Sequence, residues 1–135
     1  MVPEPSLGLM LHGYNRSDAI LLRDSISECM GVTIETIDAS GMDETSVMEV
    51  IDQGGSDLYL ESDMKVMMFL GFDDDGIGRS MDTLRSVRGI ERPIFCCLTE
   101  ENAGWKLKDL FSDLLEEDRY WRSRKATESS QNSPG

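Results

Sequence analysis

The run from Lys65 to Phe72 limits the fold more than any other part of this sequence. It is apolar throughout after its first residue, and three aspartates follow it directly. A continuous apolar run of this length is typical of a central strand covered on both faces, as in sheets packed between helices. It is far shorter than the roughly 20 residues that a helix needs to span a bilayer. The sequence therefore predicts a buried strand in an α/β fold and no membrane insertion.

Three further strands and four helices are predicted around this run. The strands are short apolar or β-branched stretches, at 7–11, 32–37 and 94–98. The stretch 32–37 alternates with period two, which favours a position near a sheet edge. The helices carry apolar residues at helical spacing, and their starts are predicted at Asn15 or Ser17, at Asp43 or Thr45, after Phe72, and at Asn102. The stretch 56–63 is ambiguous.

A length of 135 residues fits one domain. We predict a single small α/β domain over residues 6–125, with a flexible N-terminus (1–5) and a disordered tail (126–135). Strands that alternate with helices favour a four-stranded, mostly parallel sheet with helices on both faces and a long C-terminal amphipathic helix. Ligands bind at the carboxyl ends of strands in such sheets. We therefore expect the four loops that follow the strands to cluster at one rim: 12–15, 40–43, 73–78 and 99–105.

The chain is strongly acidic, with 26 acidic and 13 basic residues and a formal net charge of -13. This charge repels polyanions, so we expect no direct contact with nucleic acid. Between Val32 and Gly78 there are twelve acids and a single base, Lys65. A surface of this kind is complementary to a cationic partner or ion, although it is also what a solvated face that keeps a protein soluble looks like.

Three cysteines, Cys29, Cys96 and Cys97, form neither an even set nor a Cys-x-x-Cys pair. The sequence therefore predicts no disulfide framework and no zinc site, and it favours a reducing intracellular compartment. Because Cys96 and Cys97 fall inside a predicted strand, their side chains should point to opposite faces. We expect both to be buried and unreactive.

Two segments resemble a small family of uncharacterised proteins, found in bacteria, archaea and plastid-bearing eukaryotes, that is known only as a domain of unknown function. One is the strand end 11–14, Leu-His-Gly-Tyr, and the other is the pattern Thr-x-x-Asn-x-x-Trp formed by Thr99, Asn102 and Trp105 before a long amphipathic helix. Three acids replace the histidine with which that helix usually closes. The resemblance implies the fold, permits the plastid stroma as well as the cytoplasm, and brings no activity.

Residues at strand ends are the candidates for contact with a ligand or partner. His12-Gly13 is similar to the His-Gly pair beside the oxyanion hole of α/β-hydrolases. There is no Gly-x-Ser-x-Gly motif, and His12 is the only histidine, so it cannot also serve a serine as base. A hydrogen-bonding role at a strand end is the alternative for His12, and turn and cap formation is the alternative for Thr99 and Asn102. The loop candidates are His12, Tyr14, Thr99, Asn102 and Trp105.

Asp73, Asp74 and Asp75 are the candidate metal ligands. Asp73 and Asp75 have the Asp-x-Asp-Gly spacing of haloacid-dehalogenase-type phosphatases, in which clustered carboxylates hold Mg²⁺ and supply a nucleophile. The threonine that follows in that motif is absent. Aspartates at the start of a helix also cap it and meet the positive end of its dipole. Apart from Mg²⁺ at this site, no cofactor is predicted.

The carboxyl end of the last helix is basic and aromatic, with Arg119, Tyr120, Trp121 and Arg122 as candidate contact residues. Together with the acidic middle of the chain, it offers two unlike patches. The sequence therefore favours a non-catalytic protein–protein interaction module, an assembly or scaffold factor within a larger complex, over an enzyme. The alternative is a metal-dependent hydrolase or phosphoryl-transfer domain that uses Asp73, Asp74 and Asp75. The sequence does not specify the oligomeric state.

Overall fold

Strands and helices alternate along the computed structural model, which describes residues 7–131 and the side chains of residues 7–123. A short 3-10 helix (Asn102–Gly104) precedes the last helix. The flexible ends predicted at 1–5 and 126–135 lie outside this part of the chain, except for the backbone of 126–131, which continues the last helix. None of the helices within 7–131 has the length and apolar character needed to cross a bilayer. The elements are β1 (Gly8–His12), α1 (Arg16–Met30), β2 (Glu35–Asp38), α2 (Val47–Gln53), β3 (Val66–Leu70), α3 (Asp74–Arg85), β4 (Ile94–Cys97) and α4 (Leu107–Gln131).

The four strands form one mixed sheet in the order β2-β1-β3-β4. β1 pairs with β2 in parallel and β3 pairs with β4 in parallel, but β1 and β3 are antiparallel. The prediction of a four-stranded, mostly parallel sheet is confirmed. β2 lies at an edge, as its alternating sequence indicates, and the apolar run of β3 lies in the interior of the sheet.

The path of the chain between β2 and β3 explains the antiparallel pair. After α2 the chain comes back to the end of β2, where the amide of Ser56 donates to the carbonyl of Asp38. It then passes the end of β1, where Glu61 forms an isolated parallel bridge with Gly13. β3 starts from the edge at which β1 and β2 end, and it can only run in the opposite direction.

Helices cover both faces of the sheet, as predicted. Because successive side chains of β3 point to opposite faces, Met67 and Phe69 join a buried cluster with residues of α1, and Val66 and Met68 join a second cluster with residues of α2 and α4. Full burial of side chains of this size stabilises the fold by about 1.5–3 kcal/mol each. The two clusters account for the continuous apolar run.

The helix starts agree with the sequence at α1 and differ at α2 and α4. The side chain of Asn15 accepts from the amide of Asp18 and caps α1. α2 is capped by Ser46 instead of Asp43 or Thr45. The carbonyls of these two residues accept from the amides of Lys108 and Leu107, so the segment pairs with the start of α4. α4 begins at Leu107, five residues after Asn102, which therefore does not cap it.

Candidate functional site

The four loops expected at one rim are divided between two edges of the sheet. His12 ends β1 and pairs with Val66 at the start of β3, whereas Asp73 follows the end of β3. The antiparallel pairing of β1 with β3 therefore places His12 and the three aspartates at opposite edges. The prediction of a single cluster was wrong. We call the row of strand ends where β1 and β2 end the first edge, and the row where β3 and β4 end the second edge. Neither name refers to an edge strand.

The imidazole of His12 lies half-buried at the first edge. Its ring contacts the ring of Phe111 on α4, with 4.3 Å between centroids. Its Nδ1 atom is buried and has no hydrogen-bond partner among the described residues. Burial lowers the pKa of His12 below 6.5, and the charges of Asp43 and Asp38 oppose this effect only in part. The group is therefore a neutral imidazole with an unused polar atom facing the protein interior.

Gly13 and Tyr14 have packing roles that account for their place after His12. Gly13 has φ 90°, and a Cβ atom there would lie 2.3 Å from the carbonyl oxygen of Met64. Only glycine permits this close approach to the backbone just before β3. Tyr14 is 1% exposed, and its hydroxyl donates to the carbonyl of Glu91 at 2.7 Å. The candidate Tyr14 is thus enclosed in the core, where no ligand can reach its hydroxyl.

Asp38 organises the first edge, although the predictions from sequence did not single it out among the twelve acids between Val32 and Gly78. Its carboxylate is 2% exposed and accepts four hydrogen bonds. Two come from the amide and hydroxyl of Ser40, one from the hydroxyl of Ser56, and one from the amide of Tyr59 at 2.6 Å. A buried carboxylate with this many donors is a structural anchor. The available signal was its position at the end of a strand, followed two residues later by serine.

The segment 56–62, which we call the leucine loop, is held by this anchor. Asp57 and Tyr59 have positive φ angles of 58° and 47°. Each such conformation costs about 1–3 kcal/mol for a residue other than glycine, so the surrounding contacts must compensate. The guanidinium of Arg16 contributes, since it lies 4.5 Å from the centroid of the Tyr59 ring and donates to the carbonyl of Asp57. Leu58 and Leu60 of the same loop are 59% and 54% exposed.

Thr99 and Asn102 lie at the second edge and form a closed local network. The amide of Thr99 donates to Oδ1 of Asn102, and the amide of Asn102 donates to Oγ1 of Thr99. The Nδ2 group of Asn102 donates to the carbonyl of Cys97. These bonds organise the turn after β4, as the alternative interpretation proposed. Trp105 is half-buried, precedes α4, and packs against the cluster under α2 and α4.

The three aspartates form the first turn of α3 and its cap. The carboxylate of Asp73 accepts from the amide of Gly76 at 2.7 Å, and Asp74 and Asp75 occupy the first turn. Among the described side chains, no three His, Cys, Asp or Glu residues converge in a way that could hold a metal ion. The arrangement is that of a capped helix with acids near its positive dipole end.

The paired cysteines of β4 differ in exposure. Cys96 is half-buried, and burial raises the pKa of its thiol to about 12. Cys97 is exposed, contrary to the expectation that both are buried, because it is the last residue of an edge strand. Partial burial and the charge of Asp74 raise its pKa as well. Both thiols are therefore protonated near pH 7, which disfavours nucleophilic chemistry.

The end of α4 extends past the sheet. The helix has 25 residues, about 37 Å at 1.5 Å per residue, whereas the strands have four or five residues, about 17 Å. Among the described side chains of α4, the last buried one is Leu114, and every side chain from Arg119 to Ser123 is exposed. Tyr120 and Trp121 are 55% and 58% exposed and contact each other edge to face, 5.5 Å between centroids.

A groove of about 470 Å³ runs between this part of α4 and the starts of β3 and β4. Lys65 pairs there with Glu91 at 3.4 Å, and Arg122 pairs with Asp118 at 2.8 Å. The walls are therefore charged and the floor is apolar, which suits an extended or helical peptide better than a compact polar substrate. The lining residues are Asp63, Met64, Lys65, Glu91, Arg92, Ile94, Leu115, Asp118, Arg119 and Arg122.

Comparison with known proteins agrees with the resemblance seen in the sequence. Residues 65–121 match a family described as Domain of unknown function (DUF3783). This segment spans β3, α3, β4 and most of the described part of α4. The matched segment covers less than half of the chain. No curated protein and no solved structure matches the chain. The carboxyl-terminal part of the fold is thus similar to an uncharacterised domain family.

Proposed function

We propose that this protein is a non-catalytic protein–protein interaction module, of the kind that serves as an assembly or scaffold factor in a larger complex. The observation that carries the proposal is the end of α4, where a basic and aromatic surface is exposed beyond the sheet. Trp121 lies seven residues after Leu114, on the same face of the helix, so it continues the stripe that packs against the sheet. Its side chain is 58% exposed, and its described ring contact is with Tyr120 next to it.

The composition of this surface fits a protein partner. Tryptophan, tyrosine and arginine are the residues most enriched in the central contacts of protein interfaces. Arg119 and Arg122, two residues before and one residue after Trp121 in the helix, line the groove between α4 and the sheet. A partner segment seated in the groove would contact both.

A pull-down from native extract with matched variants tests the proposal. The immobilised chain should recover a stoichiometric protein partner whose retention falls with salt, because part of the contact is ionic. Trp121→Ala should reduce the affinity about tenfold or more, as expected for a central interface residue. Leu21→Ala is the control, since Leu21 is 44% exposed on α1, on the opposite face of the sheet. Equal recovery by both variants, or repeated failure to recover a partner, would refute the proposal.

We also propose a reducing intracellular compartment, either the cytoplasm or the plastid stroma. The three unpaired cysteines support it. A fluorescent fusion found in the secretory pathway would contradict it. We further propose that the similarity to the uncharacterised family extends to the strand end 11–14, because Gly13 is needed for the contact with Met64 just before the matched segment.

A further inference from the structure

The leucine loop exposes two large apolar side chains on an otherwise acidic part of the molecule. Leu58 and Leu60 are 59% and 54% exposed, the highest exposures among the described aliphatic side chains. Tyr59 between them is half-buried and packs toward the cluster under α1. Side chains thus alternate along the loop, so that Leu58 and Leu60 face solvent while Tyr59 packs inward.

Hydrogen bonds from the body of the domain hold this loop in one conformation. The amide of Leu60 donates to the hydroxyl of Ser40, and the amide of Tyr59 donates to the buried carboxylate of Asp38. At the far end of the loop, the amide of Ser62 donates to the carbonyl of Gly13. The leucines are therefore presented with little conformational entropy left to lose on binding, which is a property of preformed contact surfaces.

Charge around the leucines indicates what kind of surface they meet. Asp57, Glu61 and Asp63 are exposed and flank them. Lys65, the only base between Val32 and Gly78, is 14% exposed and paired with Glu91. Arg16 of α1 contacts the loop at the Tyr59 ring and the carbonyl of Asp57, so the three acids still outnumber the base that touches the loop. Anionic membranes repel such a surface, and so does the same loop of a second copy. A surface with apolar depressions and a rim of lysine or arginine is complementary to it.

We propose that the leucine loop is a docking site for a basic protein segment, in which Leu58 and Leu60 enter an apolar cleft and the flanking acids meet lysine or arginine side chains. Leu58 and Leu60 are not among the residues that line the groove beside α4, and the inference does not rest on the proposed function.

Selection from a random 16-residue peptide library displayed on phage tests this inference with the full chain as target. We expect the selected peptides to combine bulky apolar residues with lysine or arginine. The best peptide, made synthetically, should bind the Leu58→Ser/Leu60→Ser variant about tenfold more weakly or worse. Ile20→Ser/Leu21→Ser is the matched control, since these residues are 42% and 44% exposed on α1, and its Kd should stay within twofold.

A second variant separates charge from folding effects. Asp57→Asn/Glu61→Gln keeps side-chain size, and asparagine tolerates the positive φ at position 57. This variant should weaken peptide binding severalfold and reduce the salt dependence of binding. Its amide NMR spectrum should remain that of the folded chain. Loss of salt dependence is not expected from a purely structural effect.

Several results would overturn the inference. These are failure to select any peptide, selection of peptides without basic residues, and equal binding by the Leu58→Ser/Leu60→Ser variant. Leucine-dependent self-association in sedimentation, or leucine-dependent binding to vesicles of anionic phospholipid, would assign the loop to a different occupant and also overturn it. Trp121→Ala should bind the peptide normally, so that failure of the α4 proposal and failure of this one can be distinguished.

Discussion

Two buried polar groups at the first edge differ in how many hydrogen bonds they make. The carboxylate of Asp38 accepts four hydrogen bonds, whereas Nδ1 of His12 accepts or donates none. A buried donor that loses its acceptor costs more than the bond itself contributed, because the group remains out of water. The stability of this edge should therefore depend on Asp38, and the lowered pKa of His12 means that protonation of its ring opposes folding.

Asp38→Ala should lower the free energy of unfolding by about 2–4 kcal/mol, because four donors lose their acceptor and the leucine loop loses its anchor. Urea denaturation of the variant measures this loss. Asp43→Ala, at an exposed aspartate nearby, should change stability by no more than about 0.5 kcal/mol. Equal stability of the two variants would show that the carboxylate of Asp38 does not hold the loop.

The titration of His12 should have a midpoint below 6.5 when followed by the NMR signal of its ring proton, because burial lowers its pKa. The assignment is unambiguous, since the chain has one histidine. Above pH 6.5 the group is neutral in both the folded and the unfolded chain and does not affect stability. As pH falls below 6.5 toward the folded pKa, the unfolded chain binds the proton first, and stability is lost.

His12→Asn serves as the control for that pH effect. The difference in unfolding free energy between the natural chain and this variant should be constant above pH 6.5 and should shift against the natural chain below it. A midpoint above 6.5, or a difference that does not depend on pH, would contradict the buried neutral state of the imidazole.

At the scale of elements, variants in the first turn of α3 distinguish helix capping from metal binding. Asp73→Ala should lower the free energy of unfolding by about 1 kcal/mol through loss of the cap to Gly76. Asp74→Ala should cost less, because its carboxylate contributes only through the helix dipole. Thermal or urea unfolding measures both values.

Titration with Mg²⁺ completes this comparison. We expect millimolar Mg²⁺ to leave the aspartate resonances of 73–75 without saturable shifts. Saturable shifts that disappear in Asp73→Asn would support the metal-dependent alternative, and they would show that the carboxylates bind an ion in addition to capping the helix.

At the scale of the whole molecule, β1 is needed by both halves of the fold. Leu9 and Leu11 belong to the cluster under α1, and Met10 belongs to the cluster under α2 and α4. β1 also pairs with all five residues of β3, inside the segment 65–121 that matches the uncharacterised family. The matched segment is therefore only part of the folding unit.

The fragment 65–135 should lack a cooperative unfolding transition by circular dichroism, because loss of β1 leaves one side of β3 unpaired and loss of α1 and α2 uncovers part of both its faces. Addition of the fragment 1–64 should restore structure, and the full chain provides the reference. A fragment 65–135 that is folded and monomeric on its own would show that the amino-terminal half is a separate unit.

The sequence alone determined the identity of most elements, because strands and helices depend on local patterns. The apolar run of β3 and the asparagine and glycine at the ends of α1 can each be recognised from a few neighbouring residues. The number of strands, the helices on both faces and the edge position of β2 follow from the order of these patterns. The place of Asp73 at the start of α3 was recognised in the same way.

Only the tertiary structure decided which elements meet. The antiparallel pairing of β1 with β3 depends on long-range hydrogen bonds that keep the chain at the first edge after α2, and no local pattern encodes their partners. That pairing separated His12 from the aspartates. The same long-range contacts bury Asp38, one acid among many in the sequence. Burial depends on what packs around a residue, and the residue type alone does not reveal it.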